Sequence, residues 1–182
     1  MTAAIAVGAR RSGPVNAGLA AAGLALALAL VAGQEQIRRL ESLGCASLLR
    51  LLHIAPAQSI GTAVTFPARG RYVGFTVAPG CTAALLIVPF IVVAAVLLLA
   101  GRVRRGRAVS TVAVFAAVVA TVNQLRLLVI AQAMRSWGYP AGFDRSHVLM
   151  GSFVSTIGVA GGLLLFLRMV VPRQRKRSDG DG

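Results

Sequence analysis

Acidic side chains are scarce in this chain: five Asp and Glu stand against nineteen Lys and Arg in 182 residues, a formal net charge of +14. No apolar segment carries the acidic residues or interrupted helix pairs that coordinate ions in a small transporter. Cysteine and histidine occur twice each, too few for a disulfide framework. A zinc site drawn from Cys45, His53, Cys81 and His147 matches no standard ligand spacing, so no metal or other cofactor is expected. Neither Gly-x-Ser-x-Gly nor His-Glu-x-x-His is present, which removes the serine and zinc intramembrane proteases that carry them. Aromatic residues make up 5% of the chain and do not interleave with the basic ones, so the positive charge is not read as a nucleic-acid surface.

What is abundant is hydrocarbon. Hydrophobic residues are 57% of the sequence and the mean hydropathy is +0.77, a composition for lipid. A bilayer core about 30 Å thick takes roughly 20 apolar helical residues. Four segments meet that length: 14–33, 81–100, 108–133 and 148–171. The expected fold is therefore an all-α membrane protein of one domain, 1–182, with four transmembrane helices. The loop 101–107, "GRVRRGR", is short and basic and is expected in the cytoplasm. The N-terminal Arg10-Arg11 pair and the basic tail 172–182 then fall on the same side, and 34–80 and 134–147 face outward. Segment 14–33 reads as an uncleaved anchor; a cleaved signal peptide is the alternative.

The outer segment 34–80 divides in two. Its first part spaces Ile37, Leu40, Leu43, Leu48, Leu51 and Leu52 as one helical face opposite most of its arginines, the pattern of an amphipathic helix in the membrane interface. Its second part alternates Thr62, Val64 and Phe66, turns at Pro-Ala-Arg-Gly, and resumes with Tyr72, Val73, Phe75 and Val77. That is a short hairpin leading to the second span. Cys45 and His53, on the interfacial helix, read as structural.

Three reactive side chains share one depth in this scheme. Cys81 opens the second span from outside, and His147 opens the fourth. Arg126 lies eighteen residues past Ala108, which at about 1.5 Å per residue carries it roughly 27 Å across, near the outer boundary. A helix start favours a thiolate at Cys81. His147 can pair with that thiolate and then protonate a leaving amine. Arg126 is expensive in a span unless it serves a polar site, where it can stabilise an oxyanion. Asn123, one turn before it, and Gly80 and Thr82, flanking the cysteine, are candidate substrate contacts. A disulfide between Cys45 and Cys81 would silence the nucleophile, so Cys81 is expected as a free thiol.

The set "FTVAPGCTAALLI", "VNQLRLLVIA" and "HVLMGSF" resembles the exosortase and archaeosortase family of membrane-embedded cysteine transpeptidases. The likeness covers about residues 72–162. It implies catalytic roles for Cys81, Arg126 and His147. It also implies secreted protein substrates bearing a C-terminal sorting signal, and a surface acceptor molecule. The family's cysteine is typically followed by Ser-Gly, where this chain has Thr82-Ala83. The competing expectation is a non-catalytic membrane subunit of an export or surface-assembly complex.

Overall fold

Two helices of opposite character meet at Gly33. In the computed structural model, which describes residues 13–145 and positions 156, 160, 161, 163, 164 and 166–168, α1 spans Pro14–Ala32 and α2 spans Gln34–Leu51. The first carries no charge, and the second alternates charged and apolar residues. A small sheet follows, with β1 at Gln58–Ile60, β2 at Ala63–Ala68 and β3 at Arg71–Thr76. A 3-10 turn, Pro79–Cys81, leads into α3, Ala83–Leu99. Helix α4, Arg105–Trp137, and the short α5, Ala141–Arg145, complete the continuous part.

Helix α4 has 33 residues, about 50 Å at 1.5 Å per residue, and it serves two separate cores. Its first half contributes Ala108, Phe115 and Val119 to a cluster with Ala20 of α1 and Ala94, Ala95 and Leu98 of α3. Its last turns contribute Leu127, Ile130, Ala131 and Met134 to a second cluster with Cys45 and Leu49 of α2 and Val64, Phe66 and Phe75 of the sheet. Asn16 fixes the helix directions in the first storey. Its amide donates to the Leu98 carbonyl over a long 3.4 Å, and its oxygen accepts from Arg105 Nε at 2.6 Å. The starts of α1 and α4 therefore meet the end of α3, and α3 runs against the other two.

The sheet corrects the all-α expectation. The hairpin is present, with Val64 paired to Phe75 and Phe66 to Val73 in an antiparallel register. Its turn is Arg69-Gly70, both at positive φ, the geometry that matches the twist of the flanking strands. A third strand, β1, pairs with β2 across a tight turn at Gly61 and Thr62. Three residues, Gln-Ser-Ile, are too short to show a period; pairing makes them a strand. Pro67 lies beyond the last β1 partner, Thr65, so its missing N–H breaks no ladder there.

Helices α1 and α4 are long and apolar enough to cross a membrane, whereas α3, at 17 residues, is shorter than the 81–100 segment expected. Cys81 lies ahead of α3 and not in its first turn: Thr82 is the N-cap. The loop before α4 is also shorter than 101–107, because the helix already begins at Arg105. Most of 148–171, with His147, lies outside the described residues. The described positions from 156 to 168 are helical, and Phe166 packs edge-on against Phe90 and Phe115.

Helix α2 buries a face other than the one most of its leucines mark. Glu41, Ser42, Cys45, Ala46 and Leu49 are buried, while Leu40, Leu43 and Leu51 are exposed. Burial pushes the Cys45 thiol up to about 12 from 9.0. The folded state then holds a proton that the unfolded state releases, so that contribution is whole below pH 9.0 and is lost as pH rises toward about 12. Chemical denaturation followed by circular dichroism is expected to show this alkaline loss, and Cys45→Ala to flatten it. Alkylation of Cys45 is expected only once the chain unfolds.

Candidate functional site

Between the two apolar storeys runs a layer of buried polar side chains: Glu41 of α2, Thr82 at the head of α3, and Asn123 and Arg126 of α4. Along α4 the order is apolar Phe115 and Val119, polar Asn123 and Arg126, then apolar Leu127 and Ile130. All of these are buried, so the polar pair is placed where the packing changes partners.

Glu41 is the centre of that layer, and it is 7% exposed. Its Oε1 accepts from the Ala83 backbone N–H at 2.8 Å and from the Asn123 amide at 3.1 Å. Its own carbonyl accepts from Gln124 Nε2 at 3.2 Å. A single residue of α2 thus holds the start of α3 and the middle of α4. The approach is close: a Cβ on Gly44, one turn further along α2, would lie 3.1 Å from the Gln124 side chain. Two neighbours extend the grip toward the sheet. Arg38 donates to the Val77 carbonyl at 3.3 Å, just ahead of the Pro79–Cys81 turn. Ser42 donates to the Gly61 carbonyl at 2.8 Å and lies 2.7 Å from the Ser59 hydroxyl.

Burial pushes the Glu41 carboxyl above its ordinary value. The Ala83 N–H, the Thr82 hydroxyl, the Asn123 amide and the charge of Arg38 pull it back without cancelling that effect. Among the described residues Oε2 has no hydrogen-bond partner.

The sequence-derived residues fall in different places. Thr82 and Asn123 join the layer, but as parts of the scaffold. Thr82 is fully buried and accepts from the Ala84 N–H over 3.4 Å, and the Asn123 amide is engaged by Glu41. Both side chains are engaged within the protein in this structure. Gly80 is exposed, its φ is not positive, and among the described residues a Cβ there would meet nothing within 4 Å. Neither packing nor torsion requires glycine, so the space beside it is open to another molecule. Arg126 is 9% exposed, one turn beyond Asn123. Cys81 ends the 3-10 turn two residues before the amide that Glu41 holds, and His147 lies outside the described residues. Cys45 is in the second core, and His53 is exposed at a positive-φ position after α2, so neither approaches the layer.

Glu41 was missed in the sequence because it sits among charged residues of an amphipathic helix, where a carboxylate reads as solvated. The one available signal was its phase, seven residues after Gln34 and three after Arg38, on the face that turns inward. A separate cavity of about 520 Å³ lies between α1, α3 and α4, lined by Leu19, Gly23, Ile91, Ala95, Val112 and Ala116. It is aliphatic throughout and holds none of the residues of the polar layer.

Two stability measurements test this layer. Asn123→Ala removes a donor from a buried carboxylate and is expected to destabilise the fold by about 1–3 kcal/mol. Glu41 contributes stability that is whole below its ordinary value of 4.5 and lost as pH rises through its raised folded value. The unfolding midpoint is expected to fall with pH across that window, and Glu41→Gln to remove the dependence.

No protein-family model matches the chain, and no curated protein or solved structure is significantly similar to it.

Proposed function

We propose that this protein is a membrane-embedded cysteine transpeptidase of the exosortase and archaeosortase type, acting on secreted proteins that end in a sorting signal. The observation that carries the reading is the meeting of the Cys81 turn with the Asn-x-x-Arg segment of α4 through one buried carboxylate. Two stretches about forty residues apart in sequence, each a motif of the resemblance, are joined within a hydrogen bond of the same oxygen. The long apolar α1 and α4 suit a bilayer, with the basic loop before α4 inside and the Cys81 turn outside. Four spans, the second and fourth being α3 and 148–171, complete the arrangement. The exposed leucines of α2 suit a helix lying in the interface.

In this reading His147 takes the Cys81 proton, and the sulfur forms a bond to the carbonyl carbon of the peptide link ahead of the substrate's own membrane helix. The carbon–nitrogen bond breaks, the departing amine takes a proton from His147, and an acyl-thioester remains. Arg126 stabilises the negative oxygen of the tetrahedral intermediate. An amine or other nucleophile on a surface acceptor, or water, then displaces the sulfur. The space at Gly80 admits the substrate backbone, and the outer edge of β3, unpaired among the described residues and ending five residues before Cys81, offers strand addition for the extended motif. No cofactor is required by these steps.

The test is Cys81→Ala in cells that make the protein, followed on secreted proteins of the same genome that end in a shared motif, an apolar helix and an arginine cluster. Precursors are expected to accumulate while the abundance of the variant stays normal, and Arg126→Gln is expected to reduce processing by about 10²-fold or more. Unimpaired processing by Cys81→Ala would favour the non-catalytic subunit, in which the polar layer serves assembly alone.

A further inference from the structure

The aliphatic cavity of about 520 Å³ has a floor and two walls. Ile91, Ala94, Ala95 and Leu98 of α3 are buried beneath it, whereas Ala22 of α1 and Ala113 of α4 are exposed on either side. The two walls end together. Leu19 lies one turn past Asn16 on α1, and Ala108 and Val109 lie one turn past Arg105 on α4. There Asn16 Oδ1 accepts from Arg105 Nε at 2.6 Å, so the cleft closes on a polar clasp. Arg102, Arg104 and Arg107, all within three residues of Arg105, are exposed. Arg104, the N-cap of α4, makes no side-chain cap, which leaves the first amides of that helix and their partial positive charge uncovered. Among the described residues a Cβ on Gly106 would meet nothing within 4 Å, so the approach to those amides is open.

The cleft is lined by Ala, Gly, Leu, Ile and Val alone. Such a space holds no water, and left empty its walls forfeit dispersion contacts. Its volume falls in the range of about 300–1,000 Å³ that encloses one small ligand. A Cβ on Gly23 would lie 3.6 Å from Ile91 and 3.9 Å from Ala95, so α1 stands close over the floor. A slot pinched in this way suits a single hydrocarbon chain and not a helix about 10 Å across. Phe166 packs on Phe90 and Phe115, both outside the lining, and so sits beside the cleft.

We propose that this cleft binds an anionic phospholipid, with one acyl chain between α1 and α4 on the α3 floor and the phosphate at the arginines around the start of α4. Hydrocarbon selects the chain, and charge complementarity selects the headgroup. The inference needs α1 and α4 to lie in a bilayer and is independent of any chemistry at Cys81.

The test uses the full-length chain in phosphatidylcholine nanodiscs doped with a phosphatidylglycerol or a phosphatidylcholine probe, each carrying a diazirine in one acyl chain. After irradiation, peptide mapping compares labelling of the walls, 19–30 and 108–116, with that of Val92, Val93 and Val96, which are exposed on α3 outside the lining. The phosphatidylglycerol probe is expected to label the walls about tenfold more than the phosphatidylcholine probe, with no such preference at the valines. Ala113→Phe/Ala116→Leu fills the cleft from α4. It is expected to abolish the preference on 19–30 and to leave labelling of the valines unchanged. If that variant does not accumulate in folded form, Ala22→Phe fills the cleft from α1 and is read on 108–116. Arg104→Gln/Arg107→Gln leaves the cleft intact and is expected to bring the two probes to equal labelling. Equal labelling of the native walls by both probes overturns the proposal. A preference that survives filling of the cleft also overturns it, since the basic surface alone would then attract the lipid. A preference that survives loss of both arginines does so too. Unlabelled walls beside labelled valines would mean that protein fills the cleft, and they overturn it as well. If neither probe reaches walls or valines, the bilayer placement itself falls, and the lipid site with it.

Discussion

A carboxylate with so little water around it is tolerable only when several donors share its charge, and that requirement organises the centre of this protein. Glu41 meets it with the Ala83 amide and the Asn123 side chain, helped by the Thr82 hydroxyl and the charge of Arg38. These partners come from three places in the chain: α2 itself, the head of α3 and the middle of α4. Satisfying one group therefore fixes the head of α3, the middle of α4 and the inner face of α2 at once. Removing one donor leaves the buried charge less well compensated, at a cost of about 1–3 kcal/mol.

The two apolar storeys give that clasp its rigidity. Below it, α1, α3 and α4 pack aliphatic and aromatic side chains, with Phe90 and Phe115 at 3.8 Å between ring centres. Above it, α2 and the three-stranded sheet close over the last turns of α4. Hydrocarbon alone would let one storey slide or rotate against the other. Directional hydrogen bonds at the seam remove that freedom, and they do so beside the turn that carries Cys81. For a transpeptidase of the kind proposed, precise placement of the nucleophile is the main service a scaffold can give.

Much of the local structure was legible in the residues. The long apolar runs of α1 and α4 announced themselves by length, and the Arg69-Gly70 hairpin by alternation on both sides of a turn pair. Other features were not legible. The leucine pattern of α2 marked its exposed apolar side, and nothing in it announced that Glu41, Ser42 and Cys45 would face the protein. Strand β1 carried no periodic signal, and the hydrogen-bond partners of Asn123 and Thr82 were not visible in the sequence.

Sequence by itself determined where hydrocarbon must be hidden and where the chain must turn, since those follow from composition and backbone preference within a few residues. It also placed cysteine, asparagine and arginine in an order that has chemical sense. Only the tertiary structure decided that a glutamate from a third segment would join them. The reason is that a carboxylate's ionisation and partners depend on how much water surrounds it, and water is excluded by packing between segments, which no single stretch of sequence encodes.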